Sequence, residues 1–225
     1  MNKFAVIVAA GAGSRMGTAQ PKQFMHLLGK PVIWYTLQTF LKTIQDLEII
    51  LVLPEAHLKT GHSIIDTTID PTRIRIVTGG NSRFHSVKQG LSLIKQPSIV
   101  FVHDGVRCLV SPLLIDRCLQ AAELNGTAIP AIEAVDTIRL GTRDSNKQVE
   151  RGKVFIIQTP QTFQSGLLIH AYQNEYSEYF TDDASVVEAS GIKIHLIDGE
   201  PTNIKITRPI DITIAQKILE ERGLE

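Results

Sequence analysis

The chain has 225 residues, of which 43% are hydrophobic and 20% charged, so it can bury a sizeable core without disulfide or metal staples. Its 23 basic and 23 acidic residues cancel, which argues against nucleic acid or an anionic membrane surface as a partner. The two cysteines, Cys108 and Cys118, form no CxxC pair and have no histidine at a metal-binding spacing, so we predict ordinary reduced thiols.

The N-terminus carries one lysine and then a short apolar run that leads directly into glycines. A secretory signal peptide has a longer apolar region and a cleavage site, and a membrane-spanning helix needs about 20 apolar residues. The sequence therefore predicts a cytoplasmic protein with no membrane partner.

Short apolar runs rich in β-branched residues alternate with segments of helical spacing. Continuous apolar runs of this length are typical of strands covered on both faces. In chain order the predicted strands are 4–8, 48–53, 74–77, 98–102, 127–132 and 192–197, and the predicted helices include 32–41, 82–94 and 112–124. This alternation predicts an α/β three-layer sandwich around a mostly parallel sheet. Because there is no linker or low-complexity segment, residues 1–225 are predicted to form a single domain.

The segment 136–150, DTIRLGTRDSNKQVE, interrupts the alternation. Its strand-like start and its turn rich in Gly, Asp, Ser and Asn predict a polar β-hairpin. A hairpin protruding as an arm that packs on a second subunit would explain the segment, so we predict a homodimer. The alternative is a hairpin that meets only solvent.

The sequence AAGAGSRMGTAQPKQF, residues 9–24, follows the first predicted strand. Glycines at 11, 13 and 17 allow close backbone approach, so peptide N–H groups can face a phosphate, while Arg15 and Lys22 add positive charge. The spacing fits neither the P-loop nor the G-x-G-x-x-G motif. Taken alone, the glycines are explained equally well by a tight turn, and Lys22 by an exposed lysine.

Polar residues follow several other predicted strands. In an open parallel sheet, ligands bind in the crevice outside the carboxyl ends of the strands. We therefore expect the glycine-rich loop, 79–81, 103–105 and 198–205 to lie along one edge of the sheet. Asp104 in this set precedes a glycine and, taken alone, is explained as a cap or turn aspartate. The scattered histidines predict no histidine metal site, and His103 lies either beside the site or in the core.

Seven stretches of the chain form a specific combination: AAGAGSRMGTAQPKQF, GGNSRFHSVKQGL, FVHDGVR, VDTI, QTPQTF, TDDASVVE and NIKITRP. Over residues 4–215 this combination resembles the isoprenoid-pathway cytidylyltransferases that act on 2-C-methyl-D-erythritol 4-phosphate. The resemblance implies a Rossmann-like fold and transfer of a cytidylyl group from CTP to the alcohol phosphate, with Mg²⁺ as cofactor and pyrophosphate as product. The attacking phosphate is already ionised near neutrality, because its second pKa is about 6, so no protein base is required.

The resemblance also implies roles for individual residues. The catalytic cations would be Arg15 and Lys22 at the triphosphate and Arg151 and Lys205 at the alcohol phosphate, with Asp104 holding Mg²⁺. The nucleotide would contact Ala10, Gly11, Ala12, Gly13, Gly80, Asn81 and Ser86, and the polyol would contact Arg107, Thr137, Thr159 and Thr181. Asn81 stands where many relatives have aspartate. Because Thr137 and Arg151 flank the predicted hairpin, a partner subunit would contribute to the polyol pocket.

Several alternatives stay open at this level. Close relatives that act on ribitol 5-phosphate use the same chemistry on a different polyol. Arg151, taken alone, is equally well explained as a surface arginine at the end of a hairpin. A non-catalytic nucleotide-binding domain is the alternative from another class, and the presence of Arg15, Lys22, Asp104 and Lys205 argues against it, because binding alone does not need all four.

Overall fold

The computed structural model describes residues 1–11 and 20–223. The strands are β1 (Asn2–Val8), β2 (His26–Leu27), β3 (Lys30–Pro31), β4 (Leu47–Leu53), β5 (Ile74–Thr78), β6 (Ser98–Asp104), β7 (Thr127–Glu133), β8 (Arg139–Gly141), β9 (Asn146–Gln148), β10 (Phe155–Ile157), β11 (Gln161–Gln164) and β12 (Leu196–Asp198). The α-helices are α1 (Val32–Thr43), α2 (Leu58–Ile65), α3 (Arg83–Leu91), α4 (Pro112–Asn125), α5 (Ser165–Ala171), α6 (Asp183–Glu188) and α7 (Pro209–Glu221). Within this described part of the chain, no helix is both long and apolar enough to cross a bilayer.

Eight strands form one sheet in the order β10-β7-β11-β6-β1-β4-β5, with β12 paired to β7. Strand β1 runs parallel to β4 and β6, β4 runs parallel to β5, and β12 runs parallel to β7. Among the described strands of this sheet, β10 and β11 are the two that run antiparallel to their neighbours. The mostly parallel sheet predicted from the alternating pattern is confirmed.

The sheet is covered on both faces, which explains the continuous apolar strands. In β1, Ala5 and Ile7 face a core shared with α1 and α4, whereas Phe4 and Val6 face a core shared with α3, α5 and α6. All four side chains are buried, because successive residues of a strand point to opposite faces and each face has its own layer of helices. The predicted three-layer α/β sandwich is confirmed.

Helix α4 shows how local sequence signals set an element's bounds. The hydroxyl of Ser111 accepts the backbone N–H of Leu114 at 3.0 Å, and Pro112 occupies the first turn, where its missing N–H costs nothing. The helix ends at Gly126, whose φ of 81° lies in the left-handed region that glycine adopts without strain. The predicted range 112–124 therefore differs by one residue from the observed helix.

Two predicted elements are shorter in the structure. The predicted helix over 82–94 spans Arg83–Leu91, and it begins at Arg83 because Ser82 is the capping residue and its hydroxyl accepts the N–H of His85. The predicted strand over 192–197 pairs with β7 only at Leu196–Asp198. Ile192 and Ile194 in that run pack against a core instead, so their apolar character reflects burial rather than sheet pairing.

The polar hairpin predicted over 136–150 is also confirmed. Strands β8 and β9 pair antiparallel, with Arg139 opposite Gln148 and Gly141 opposite Asn146. The two strands belong to no larger sheet and every residue in them is exposed.

Strand register brings the polar loops of the sequence to one edge. Val8, at the end of β1, pairs with Val52 of β4 and with Asp104 of β6, and Leu53 of β4 pairs with Thr78 of β5. The residues that follow these strand ends therefore meet at the carboxyl edge of the sheet, as expected for an open parallel sheet.

Candidate active site

A first cavity of about 510 Å³ opens at this carboxyl edge. Its described lining contains six residues that the sequence assigned to the nucleotide and its phosphates, namely Ala10, Gly11, Lys22, Gly80, Asn81 and Ser86. Ala12, Gly13 and Arg15 lie outside the described residues. The structure thus brings together segments that are far apart in the sequence, from the end of β1 to the start of α3.

The backbone after β1 is held by a side chain that the sequence did not single out. Gln23 is buried, and its amide nitrogen donates to the carbonyl oxygens of Ala9 at 2.7 Å and Gly11 at 3.2 Å. Lys22, beside it, donates from Nζ to the carbonyl of Ile206 at 2.8 Å. Gln23 therefore ties the two described ends of the segment 9–24 to each other, and Lys22 ties the second end to Ile206.

Close backbone packing explains the glycine pair after β5. A Cβ added at Gly79 would lie 2.5 Å from the Cβ of Ala10, and one added at Gly80 would overlap His85. The backbone N–H of Gly80 donates to the buried hydroxyl of Ser86 at 3.1 Å. At this wall of the first cavity the backbone of Gly79 and Gly80 therefore packs directly against Ala10 and His85.

A second cavity of about 250 Å³ adjoins the first. It is lined by Arg107, Thr159 and Thr181, all predicted to contact the polyol, and by Gln158, Gln161 and Asp182. Arg83, Asp104 and Lys205 line both cavities and so form their shared wall. Two compartments that meet at charged side chains can hold two anionic ligands next to each other.

Asp104 ends β6 at this shared wall. Its Oδ2 lies 2.8 Å from Lys205 Nζ and 3.7 Å from Arg107 Nε, and its Oδ1 lies 3.4 Å from Arg83 Nε. Burial works against ionisation of Asp104, but the positive charges of Arg83, Lys205 and Arg107 outweigh it and hold the pKa of the carboxyl well below its usual range. Asp104 is therefore a carboxylate at any physiological pH, and the wall carries a net positive charge.

His103 and Thr159 form a buried hydrogen-bonded chain behind Asp104. The Arg107 carbonyl, 3.2 Å from His103 Nε2, can only accept, so this nitrogen carries the proton and Nδ1 accepts from the Thr159 hydroxyl at 3.0 Å. The same hydroxyl accepts the backbone N–H of Asp104 at 3.1 Å. Burial lowers the pKa of His103 to about 3, so the imidazole is neutral and positions Asp104 and Thr159 rather than transferring protons.

Arg83 and Asp183 were missed by the sequence reasoning as site residues. Arg83 Nη2 donates to the fully buried carboxylate of Asp183 at 2.7 Å, and Arg83 also lines both cavities. Each lies within a stretch quoted for the resemblance, but their pairing spans 100 positions of the chain. The one signal was the acidic pair in TDDASVVE, which needs a cationic partner if it is buried.

Not every predicted site residue lies at the cavities. Thr137 and Arg151 are exposed at the base of the hairpin, where Arg151 donates to the carbonyl of Val135 at 2.9 Å. Neither is among the lining of the first or second cavity.

The cysteines take no part in the site. Cys108 and Cys118 are free and buried, and burial raises the pKa of each thiol to about 12, so both stay protonated and unreactive.

The donor set at the shared wall suits Mg²⁺. Asp104 offers an ionised carboxylate where the two cavities meet, although its oxygens are also contacted by three cations. Among residues 1–11 and 20–223 there is no group of three or more His, Cys, Asp or Glu side chains that could cage a metal ion. One carboxylate combined with substrate phosphates and water is the usual environment of Mg²⁺, so the residues present fit that ion.

Comparison with known proteins agrees with this geometry. The family model described as 2-C-methyl-D-erythritol 4-phosphate cytidylyltransferase (IspD) matches residues 4–221. A protein of that name from Bacteroides thetaiotaomicron is 43% identical over 219 residues, which are 97% of this chain and 100% of the relative. The solved 4-diphosphocytidyl-2C-methyl-D-erythritol synthase from Anaerococcus prevotii is 30% identical with a TM-score of 0.83, over 97% of this chain and 98% of that one. The solved 2-C-methyl-D-erythritol 4-phosphate cytidylyltransferase from Thermus thermophilus is also 30% identical, with a TM-score of 0.77, over 98% of this chain and 100% of that one.

Proposed function

Because the chain belongs to the 2-C-methyl-D-erythritol 4-phosphate cytidylyltransferase family, we propose that it transfers the cytidylyl group of CTP to 2-C-methyl-D-erythritol 4-phosphate. An oxygen of the alcohol's phosphate bonds to the α-phosphorus of CTP, the bond from that phosphorus to the bridging oxygen breaks, and pyrophosphate leaves. The observation that carries the proposal is the pair of cavities that share a wall of Arg83, Asp104 and Lys205.

In this proposal CTP occupies the first cavity and the alcohol phosphate occupies the second. The backbone around Gly80, with Ala10, Asn81 and Ser86, contacts the cytosine, and Lys22 contacts the triphosphate. Arg107, Thr159 and Thr181 line the polyol compartment. Lys205, at the shared wall, orients the attacking phosphate. Arg15 is assigned to the triphosphate by resemblance alone.

Catalysis then consists of positioning and charge compensation. Two anions repel each other, and side chains that already sit at the meeting point bring them together without reorganising during the reaction. The nucleophile is ionised before it binds, which agrees with a neutral His103 and two protonated thiols that offer no base. Mg²⁺ held by Asp104 would neutralise phosphate charge, and Arg83, Arg107 and Lys205 would then be available to the phosphates.

The assembly we propose is a homodimer, formed through the hairpin arm. Val135, Leu140, Phe155 and Ile156, in and beside the hairpin and on β10, are between 45% and 79% exposed. Contact with a second subunit would remove this apolar surface from water. It would also give Thr137 and Arg151, which lie outside the two cavities of their own chain, a place at the partner's polyol pocket.

Mixing two inactive variants tests this sharing. If R151A and K205A subunits exchange, each mixed dimer contains one site with both residues intact, and roughly a quarter of the normal activity returns in an equal mixture. No recovery in a mixture that does form mixed dimers would refute a shared site.

The chain as a whole, residues 1–225, is proposed to act as one nucleotidyltransferase domain, because residues from Phe4 to Leu219 contribute to the packed cores around a single large sheet. A cytoplasmic location stays a prediction from the sequence.

The reaction is tested by Mg²⁺-dependent release of pyrophosphate, with CTP against UTP and 2-C-methyl-D-erythritol 4-phosphate against D-ribitol 5-phosphate in matched reactions. We expect a strong preference for CTP and for the branched tetritol. A preference for ribitol 5-phosphate would keep the mechanism and change the substrate. No pyrophosphate from any pair would refute the proposed function and favour a nucleotide-binding domain.

A further inference from the structure

A buried polar chain lies behind the shared wall and reaches it through Arg83. The Tyr172 hydroxyl donates to Asp183 Oδ1 at 2.6 Å, and Arg83 Nη2 donates to Asp183 Oδ2 at 2.7 Å. Tyr172 is 3% exposed and Asp183 is fully buried, and neither lines the first or second cavity. The Asp183 carboxylate is therefore positioned to act on a ligand only through Arg83.

Of the three hydrogen-bonded residues Tyr172, Asp183 and Arg83, Arg83 is the one that lines the two cavities. Its Nε donates to Asp104 Oδ1 at 3.4 Å, and the side chain lines both cavities while remaining only 26% exposed. The contacts with Asp183 and Asp104 engage two of the five N–H groups of the guanidinium. Burial opposes the charged form, but the charges of Asp183 and Asp104 outweigh it and raise the pKa of Arg83 above its usual value. The guanidinium is thus a permanent cation at the point where the two cavities meet.

Asp183 is itself rigidly placed. It is the first residue of α6, directly after the capping residue Asp182, whose carboxylate accepts the N–H of Ser185 at 2.9 Å. Gln161 bonds to both sides of this turn, donating to Asp182 Oδ2 and accepting the N–H of Ala184, each at 2.8 Å. The orientation of the carboxylate is therefore set by the start of a helix and by β11.

The two sides of the pair are also linked by packing. The ring of Phe84, the residue after Arg83 in α3, stacks on the ring of Tyr172 with 4.8 Å between centroids. Tyr172 thus contacts the helix that carries Arg83 and donates a hydrogen bond to the carboxylate that Arg83 contacts. Tyr172 therefore supports the helix at Arg83 by stacking on Phe84 and supports the Arg83 guanidinium through its hydrogen bond to Asp183.

We infer that Asp183, supported by Tyr172, is a positioning residue that fixes the Arg83 guanidinium where the phosphate of the alcohol and the phosphates of CTP meet. A cation held in place before the substrates arrive stabilises developing charge without reorganisation during the reaction. Without Asp183 the guanidinium would lose its 2.7 Å contact and keep, among the described carboxylates, the 3.4 Å contact with Asp104, so its orientation toward the phosphates would no longer be fixed. This inference rests on the proposed function and extends it to a pair of residues outside the cavities.

A double-mutant cycle separates this role from a purely structural one. D183N keeps the shape of the side chain but removes its charge. When Arg83 is present, we expect D183N to lower kcat for pyrophosphate release about 10- to 100-fold. In a protein that already carries R83A, D183N should lower kcat less than about 3-fold, because the effect of Asp183 passes through Arg83. Equal losses in the two backgrounds would overturn the inference.

Three further variants keep the test decisive. V187A removes a fully buried side chain from the same helix without touching the ion pair, and should lower the melting temperature while leaving kcat within about 2-fold. D183E restores the charge and should recover part of the activity that D183N loses. If D183N does not fold, Y172F takes its place in the cycle with R83A, with an expected loss of about 3-fold that disappears in the R83A background.

Affinity for CTP gives a readout that does not depend on turnover. By titration calorimetry, D183N should weaken CTP binding about 5- to 10-fold when Arg83 is present and leave it unchanged in the R83A background. If the wild-type protein released no pyrophosphate, the proposed function would fail, and this cycle would still decide whether Asp183 acts through Arg83. An equal weakening of CTP binding in both backgrounds would refute it.

Discussion

Two buried threonines three residues apart provide a matched test of the hydrogen bonds behind Asp104. Thr159 is 5% exposed, and its hydroxyl accepts the N–H of Asp104 and donates to His103 Nδ1. Thr162 is fully buried, and its hydroxyl has no hydrogen-bond partner beyond the weak thiol of Cys118. Replacing either threonine by valine makes the same chemical change, so the difference between the two variants isolates the two hydrogen bonds.

The expected magnitude follows from the groups left without partners. T159V leaves a buried backbone N–H and a buried ring nitrogen unpaired, and each such group costs about 1–3 kcal/mol. After a gain from the added methyl group, we expect T159V to lower the free energy of unfolding by about 2–4 kcal/mol. T162V removes a hydroxyl that has no strong partner, so its change should stay within about 0.5 kcal/mol of zero or be stabilising.

Urea denaturation of the wild type and both variants measures this difference. The midpoint of T159V should shift to lower urea at an unchanged m value, which indicates a change of stability rather than of denatured-state compactness. If T159V and T162V shift the midpoint equally, the hydrogen bonds of Thr159 to His103 and Asp104 contribute nothing measurable to the free energy of unfolding, which would refute the stabilising role assigned to them.

Three further outcomes are expected. K205A should reduce turnover at least about 100-fold, as loss of a charge-stabilising group does. The control K217A removes a lysine side chain that is 69% exposed on α7, and it should keep turnover within about 2-fold. Similar losses of turnover in the two variants would exclude a specific role for Lys205. G79A places a Cβ 2.5 Å from that of Ala10, which must displace the backbone at this wall of the first cavity. CTP affinity measured by calorimetry should therefore weaken about 10-fold, and an unchanged affinity would show that the wall accommodates the extra methyl group. D211A removes a carboxylate that accepts two backbone N–H groups before α7 and should cost about 1 kcal/mol at pH 7. Burial raises the pKa of the Asp211 carboxyl, but the hydrogen bonds that it accepts lower the pKa by more, so the folded-state pKa lies below the unfolded-state value. The stabilisation is therefore present above the unfolded-state pKa and is lost as the pH falls through the folded-state pKa. In thermal melts, the advantage of the wild type over D211A should be smaller at pH 3 than at pH 7, and an equal advantage at both would contradict this.

The fold class follows largely from local patterns in the sequence. Apolar runs such as 4–8 and 98–102 are continuous because both faces of the sheet are covered, so the pattern itself reports a buried parallel strand. The polar turn after Leu140 reports a hairpin in the same local way. Parallel strands then place the loops after Val8 and Thr78 at the same edge as Asp104, which is why the first cavity could be anticipated.

In the eight-stranded sheet the sequence pattern did not predict the antiparallel strands β10 and β11, and β11 shows the physical reason. It contains Gln161, Thr162 and Gln164, and the first two are buried although they are polar. The amide of Gln161 is bonded to the turn at the start of α6, so its burial depends on partners that lie about 20 residues away. A rule based on apolar periodicity cannot detect a strand whose buried polar groups are stabilised by such distant partners.

By itself the sequence determined the α/β class, the hairpin and the polar loops that follow the strand ends, because each depends on residues close together in the chain. Tertiary structure alone decided which charges face each other: Arg83 with Asp183 and Asp104 with Lys205. These pairs lie about 100 positions apart, and their energies depend on burial and on distances of a few ångströms. Such distances exist only after the layers have packed, so no local pattern contains them.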